Sequence, residues 1–295
     1  MYSHFESNNL STTIRRAVGQ LTPTAIKVPV HKLTFDFANA WRLYIMRQVP
    51  ILIFQMGKVG SSSILTSLLE HGLPFTIHVH RLNPKNIDAR AETVDNVLQA
   101  SHLDSERWIY QNITQSDKPV KYITLVRDPL GRAMSHYFEN LSYITGIENA
   151  ETAIALQELQ AMFVEKYLWE IIAKDWFDDE LKPVSGINVY ETPFDTETGY
   201  SIYQRDNTEV LLLKLEISDE DKEKAIADFV GEPDFKLKRA NDTSQKSYAE
   251  LYRVFRNTIV FPQRVLDKVY SMKMAQHFYT EEEIQYYMKK WQRSA

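Results

Sequence analysis

The sequence predicts an α/β fold in which a central, mostly parallel sheet lies in a three-layer α/β/α arrangement. Three observations carry that expectation. The segments Ile51 to Phe54, Val120 to Val126 and Val210 to Leu215 are apolar runs of strand length, the pattern of strands buried on both faces. Each run is followed by residues whose apolar positions recur at helical spacing. Strands that alternate with helices pair in parallel and are covered on both sides.

Taken in order, residues 1–24 are polar, carry Ser3, Ser7, Asn8, Asn9 and Ser11, and show no sustained apolar period, so a flexible leader is expected there. A helix is expected from Phe35 to Gln48, stopped by Pro50. The strand Ile51 to Phe54 leads through Gln55-Met56-Gly57-Lys58-Val59-Gly60 into a helix marked by Ile64, Leu65, Leu68 and Leu69. Pro74 to His80 reads as a second strand, and Ile87, Ala91, Val94 and Leu98 mark a second helix. The strand Val120 to Val126 ends at Arg127-Asp128-Pro129, and Pro129 suits a first helical turn. Ala133, Met134, Tyr137, Phe138 and Leu141 continue that helix, and Leu156, Leu159, Phe163, Tyr167 and Ile171 extend the spacing over a long one. After Val210 to Leu215, Ser218-Asp219-Glu220-Asp221 caps a helix closed by Gly231 and Pro233. Thr280-Glu281-Glu282-Glu283 is a second capping box and starts a terminal helix through Trp291. No fixed-period repeat, low-complexity tract or linker interrupts the chain, so residues 25–295 are expected to form one domain.

Composition removes several classes. The chain has 295 residues, 44% of them hydrophobic and 12% aromatic, enough for a sizeable core. It has no cysteine, which excludes a disulfide scaffold, a thiol nucleophile and a cysteine-ligated zinc. With 34 basic and 39 acidic residues the formal charge is −5, which argues against a nucleic-acid partner. The first thirty residues lack the apolar run of a signal peptide, and Val49 to Phe54 is too short for a membrane span. A cytoplasmic protein without a membrane span is expected.

Two of the nine glycines, Gly57 and Gly60, lie three apart between a strand and a helix. Such a junction presents free backbone N–H groups to an anion, while Lys58 adds a point charge and Ser61, Ser62 and Ser63 add hydroxyls. The plain alternative is a tight turn with a solvated lysine and serine caps. A Walker A loop needs its lysine after the last glycine. Here Lys58 precedes Gly60, which disfavours ordinary ATP or GTP hydrolysis.

A second segment, Val126-Arg127-Asp128-Pro129-Leu130-Gly131-Arg132-Ala133-Met134-Ser135-His136-Tyr137, follows another apolar strand. Ser135 lies two turns beyond Arg127, so both residues can face one anion. The competing reading pairs Arg127 with a carboxylate and leaves Ser135 as a tolerated small residue. Gln55 to Ser63 and Arg127 to Tyr137, in this order and each after a strand, resemble the phosphate-binding motifs of PAPS-dependent sulfotransferases, with the flavour of the bacterial branch that modifies capsular polysaccharide and other glycans.

That resemblance implies a P-loop NTPase-like fold, PAPS as sulfuryl donor, PAP as product, and no required metal. It implies that Gly57, Lys58, Val59, Gly60, Ser61, Ser62 and Ser63 hold the 5′-phosphosulfate and that Arg127 and Ser135 hold the 3′-phosphate. Lys58 would neutralise charge on the leaving phosphate, and a base would come from the end of the second strand. Thr76 to His80 places His78 and His80 there, facing the same way; His80, nearest the end, is the candidate base and His78 its orienting neighbour. A metal pair or hydrogen-bonded structural histidines are the alternatives. In the late basic run Lys236-Leu237-Lys238-Arg239-Ala240-Asn241, a solvated face is the ordinary reading, while the resemblance offers Lys238 and Arg239 as further nucleotide ligands. Glu216 lies in Leu215-Glu216-Ile217-Ser218, near the family's Y-E-D-L region but with Leu215 in place of tyrosine.

The expected activity is therefore transfer of a sulfuryl group from PAPS to a hydroxyl, on a carbohydrate, with the acceptor met by Ile144 to Tyr203. A non-catalytic nucleotide-binding component of polysaccharide assembly is the alternative from another class. A magnesium-dependent phosphotransferase is disfavoured by the Walker order.

Overall fold

The strands of the protein form a mixed sheet because four apolar runs pair side by side and one polar hairpin arm closes an edge. The computed structural model describes residues 35–94, 97–238 and 246–292. The expected leader at 1–24, and Arg239, Ala240 and Asn241, lie outside the described residues. Contacts within the chain gather it into two units, with the described residues of one at 51–80 and 119–292 and of the other at 35–50 and 81–118, both within the span read as one domain.

In the first unit the strands are β1 (Ile51–Phe54), β2 (Thr76–Val79), β3 (Val120–Val126), β4 (Tyr200–Arg205) and β5 (Thr208–Lys214), in spatial order β2-β1-β3-β5-β4. All pairings are parallel except β4 with β5. Helices surround this sheet in an α/β three-layer fold, as the alternation of elements predicts. Every residue of β1 and the last five of β5 are buried, which is why those runs carry no polar alternation. The main helices are α1 (Ser61–Glu70), α2 (Pro129–Glu139), α3 (Asp219–Val230) and α4 (Glu281–Gln292).

Local rules place the helix ends. Ser218 Oγ accepts from Asp221 N at 3.0 Å to start α3, and Gly231, at φ +81°, ends it. At α4, Thr280 Oγ1 accepts from Glu283 N at 3.2 Å and Glu283 Oε2 accepts from Thr280 N at 2.8 Å, the reciprocal capping box read from the sequence.

Three expectations need correction. β4 was not foreseen, because it is an antiparallel edge strand with exposed Ile202 and several polar residues; its signal is the Asp206-Asn207 turn, with Asp206 at φ +52°. The β2 run is shorter than Pro74 to His80, so His80 lies just past the strand. The helical spacing after α2 is broken near Gly146 and Asn149, both in left-handed conformations. It resumes at Leu156–Met162 and passes through a π-helical turn, Phe163–Tyr167, into Leu168–Ile172. That wider turn adds a residue per repeat, so burial falls on Leu159, Phe163, Leu168 and Ile172 while Tyr167 and Ile171 are only half-buried.

The second unit contains the helix at 35–40 continued by a π-helical turn at Trp41–Ile45, and helices at Pro84–Ala91 and Val97–Ile109. Pro84 takes the first turn of its helix and Asn83 caps it through Lys85 N. Arg107 Nη2 joins Asp88 Oδ1 at 3.0 Å, between these two helices. Among the described residues no helix is long and apolar enough to cross a membrane.

The start of α2 is anchored by Asp128, which is 3% exposed. Its Oδ2 accepts from Gly131 N at 3.0 Å and Trp291 Nε1 at 3.1 Å, and its Oδ1 accepts from Tyr270 OH at 2.6 Å. Asp128→Ala would leave these three donors without an acceptor and remove a helix cap, so a loss of about 3 kcal/mol or more is expected. Urea denaturation of the two proteins measures it, and a loss below ~1 kcal/mol would show that the anchor is dispensable.

Candidate functional site

β1 has β2 on one side and β3 on the other, so the connections leaving β1 and β3 run to opposite sides of the sheet. In open α/β sheets ligands bind beyond the strand C-termini at such a reversal. Both sequence motifs start there, directly after Phe54 and directly after Val126.

The first loop is shaped by backbone conformation. Lys58 has φ +71° and Gly60 φ +81°. A Cβ on Gly60 would stand 2.7 Å from Leu215 Cδ1, so the end of the Leu215 side chain would have to shift, and the positive φ is what favours glycine there. The loop ends at the N-terminus of α1, where Gly60 offers no side-chain cap. Val59 is fully buried and Ser61 is 5% exposed; Gly57, Lys58, Ser62 and Ser63 are half-buried, and Gly60 is exposed.

The structure brings the second motif onto the first. Arg127 Nη1 donates to the Lys58 carbonyl at 2.9 Å. The Arg127 side chain lies over the first turn of α2, where a Cβ on Gly131 would be 3.6 Å from Arg127 Nε. Ser135 and Glu139 follow Gly131 at four-residue intervals, so the three share one helix face. At the far end of that face Lys58 Nζ meets Glu139 Oε1 at 3.5 Å. Glu139 is also held by Lys246 Nζ at 3.5 Å and by Tyr248 OH at 2.5 Å. Burial alone would raise the Glu139 carboxyl, but the Tyr248 hydroxyl, Lys58 and Lys246 bring it below the usual carboxylate range.

Positive charge at this junction exceeds its carboxylate partners. Arg132, 9% exposed, donates to the Ile171 carbonyl at 3.2 Å, and its buried Nε has no partner among the described residues. Burial and the neighbouring Arg127 lower its guanidinium to about 10. No carboxylate pairs with Arg127 or Arg132 among the described residues, which removes the plain reading of Arg127 as half of an ion pair. A half-buried guanidinium, Arg127, and a buried one, Arg132, thus lie together without a carboxylate partner among the described residues. His136 lies beside them; burial, then Arg132 and Lys58, lower it to about 4, so it is neutral at pH 7.

Beside the loop, a polar cluster joins the end of β1 to β2 and α1. Gln55, 1% exposed, places Nε2 at 2.8 Å from Ser61 Oγ and 3.0 Å from His78 Nε2, and Ser61 Oγ is 2.9 Å from His78 Nε2. The Ser61 hydroxyl is thus engaged by Gln55 and His78, and Ser62 and Ser63 are half-buried. The His80 ring stands edge-on to His78 with centroids 4.6 Å apart. His80 Nδ1 is 2.9 Å from the Gln55 carbonyl, which can only accept. Nδ1 therefore carries a proton, and when the ring is neutral Nε2 is its basic nitrogen. Burial and then His80 lower His78 to about 4.

A family described as "NKWYS: Putative capsular polysaccharide synthesis protein" matches residues 150–280. No curated protein and no solved structure matches the chain. The matched span begins after both motifs and makes this part of the chain similar to a capsular-polysaccharide-related family. It contains Trp176, whose Nε1 donates to the His80 carbonyl at 3.2 Å and whose ring meets that of Phe54 at 4.7 Å. It also contains Glu216, which accepts from Asp128 N at 2.7 Å, giving that residue a backbone-anchoring role.

The structure thus brings Gly57 to Ser63 together with Arg127 and the Ser135 face, and sets His80 just past the neighbouring strand. It does not bring Lys238 there. Lys238 N donates to Ser67 Oγ at 2.7 Å and its Nζ meets Glu70 Oε2 at 2.5 Å, on the last turns of α1. Lys236 pairs with Glu223 at 2.9 Å, so the described part of the basic run is matched by carboxylates. Arg239 lies outside the described residues. Sequence reading missed Gln55, His136, Glu139 and Trp176; the first three sit inside or beside the motifs, but their roles depend on contacts across the fold. Among the described residues no group of three or more His, Asp or Glu side chains is arranged to hold a metal.

Because His78 is neutral in the fold down to about pH 4 and titrates at 6.5 unfolded, the unfolded chain binds more protons between those values. Stability is then highest above pH 6.5 and falls as pH drops towards 4, by about 3 kcal/mol from this ring. In His78→Gln that share of the slope is expected to vanish from denaturation curves taken across the window; an unchanged slope would refute the assignment.

Proposed function

We propose that the protein is a sulfotransferase that moves a sulfuryl group from PAPS to a hydroxyl of a carbohydrate and releases PAP. The observation that carries this reading is the pairing of Arg127 with the Lys58 carbonyl instead of a carboxylate, which joins the two motifs that the resemblance requires and leaves the Arg127 guanidinium for an anionic ligand. The match of residues 150–280 to a capsular-polysaccharide family supports a glycan acceptor.

In this reading the loop Gly57 to Ser63 holds the 5′-phosphosulfate end through backbone N–H groups and the hydroxyls of Ser62 and Ser63. Arg127 and Ser135 hold the 3′-phosphate. His80 Nε2 takes the proton of the acceptor hydroxyl as its oxygen bonds to sulfur. The bond between sulfur and the bridging oxygen breaks, and Lys58, transferring from Glu139, neutralises the charge left on the 5′-phosphate. Such a preorganised donor is worth roughly 3–4 kcal/mol. The substrates themselves supply the group and the leaving charge, so no step here needs a metal.

Thermal unfolding with PAP, PAPS, AMP and ATP tests the donor site. PAP and PAPS are expected to stabilise the protein by about 2.7 kcal/mol at a hundredfold excess over Kd, and Arg127→Ala to lose the effect. Equal shifts with ATP and AMP, or none with PAP, would overturn the reading. With labelled PAPS and a glycan acceptor, Lys58→Met is expected to lower kcat by roughly 10²–10³ while retaining PAP binding. PAP binding without any turnover across acceptors would leave a nucleotide-binding assembly component in its place.

A further inference from the structure

Gln55 occupies an unusual position for a buried amide. Its Oε1 is buried without a partner among the described residues. Its Nε2, in contrast, has three polar atoms around it: Ser61 Oγ at 2.8 Å, His78 Nε2 at 3.0 Å and His80 Nδ1 at 3.3 Å. Exchanging the two amide atoms would aim Oε1 at the same three groups, so the sense of the amide and the tautomers of the rings are fixed together.

We propose that Gln55 is a positioning residue that sets the tautomers and ring orientations of both histidines, the main chain acting on His80 and the side chain on His78. With Gln55 Nε2 facing it at 3.0 Å, His78 Nε2 accepts and its ring proton sits on Nδ1. The Gln55 carbonyl can only accept, so His80 Nδ1 must donate at 2.9 Å. With that proton directed at the carbonyl, the 3.3 Å approach of Gln55 Nε2 to the same nitrogen is a contact between two donors and not a second bond. His78, held by the amide, then backs the His80 ring edge-on at 4.6 Å, and Trp176 fixes the backbone of His80 from the other side. One residue directly after β1 thereby delivers the basic nitrogen of a ring directly after β2. The inference deepens the proposed sulfuryl-transfer reading, in which His80 is the base.

The test is nitrogen-15 NMR of histidine-labelled protein, which reads tautomers without any need for turnover. Wild type is expected to show both rings as the Nδ1–H form. Gln55→Glu replaces the donor by an acceptor and is expected to move the His78 proton to Nε2; Gln55→Leu removes the donor and is expected to give a mixture. In Gln55→Leu, kcat for sulfuryl transfer should fall roughly 10-fold with the KM for PAPS within about twofold, the mark of a lost orienting contact and not of lost binding. An Nε2–H form of either ring in wild type, or unchanged His78 signals in folded Gln55→Glu or Gln55→Leu, would overturn the proposal. PAP-induced stabilisation, followed in the same samples, separates the two ideas. Its absence in wild type refutes the donor reading, whereas its presence with unaltered tautomers refutes only the role of Gln55.

Discussion

The buried carboxylate of Asp128 is the constraint on which the site depends. It caps α2 and accepts from Tyr270 and Trp291, while the backbone N–H of the same residue donates to Glu216 just beyond β5. Burial raises the carboxyl groups of both Asp128 and Glu216. The Asp128 carboxylate is engaged by Gly131, Tyr270 and Trp291, and no ion pair joins it to the neighbouring guanidinium. Arg127 therefore leaves β3 with a fixed backbone and no acidic partner among the described residues, and its fork turns to the Lys58 carbonyl. Had Asp128 been exposed, the adjacent charges could have paired and the junction would be neutral. Charge separation over one peptide bond is thus produced by burial.

Glu139 introduces a second balance. It stands on the same α2 face as Gly131 and Ser135 and meets Lys58 at 3.5 Å. A ligand phosphate would compete with it for the lysine, and Lys246 and Tyr248 already share its charge. Because those two donors remain when Lys58 leaves, Glu139 is never uncovered, and the cost of transferring the lysine is small compared with stripping a lone carboxylate. The partner of Lys58 is thereby suited to release it.

Much of this was legible in the sequence because local chemistry and global fold agree. Gly60 needs a positive φ, and its place between an apolar strand and a helix signals that need. Pro129 after Asp128, and the boxes at Ser218 and Thr280, announce helix starts through short-range hydrogen bonds that neighbouring residues supply. What escaped reading depends on distant partners. The polar edge strand β4 exists because β5 offers it a hydrogen-bonding edge. The π-helical turn at Phe163–Tyr167 moves burial from Tyr167 and Ile171 to Leu168 and Ile172, although the sequence spacing alone satisfies an α-helix. Lys238 belongs to a run whose composition suggests an anion, yet Glu70 takes its charge.

The histidines show the same division at a finer scale. Alternation along β2 places His78 and His80 on one side, and proximity to the strand end singles out His80. Their protonation states follow from elsewhere. Burial keeps His78 neutral, and a neutral ring with its lone pair on Nε2 can receive the Gln55 amide, whereas an imidazolium would repel it. His80, exposed beyond the strand, keeps access to solvent while a main-chain carbonyl directs its proton to Nδ1. A pair of like residues two apart thus acquires unlike surroundings: one ring is half-buried against Gln55 and Ser61, and the other is exposed just past the strand. The difference arises from parallel pairing of β2 with β1, because that register sets Ile53 opposite His78 and brings the residue following β1 beside both rings.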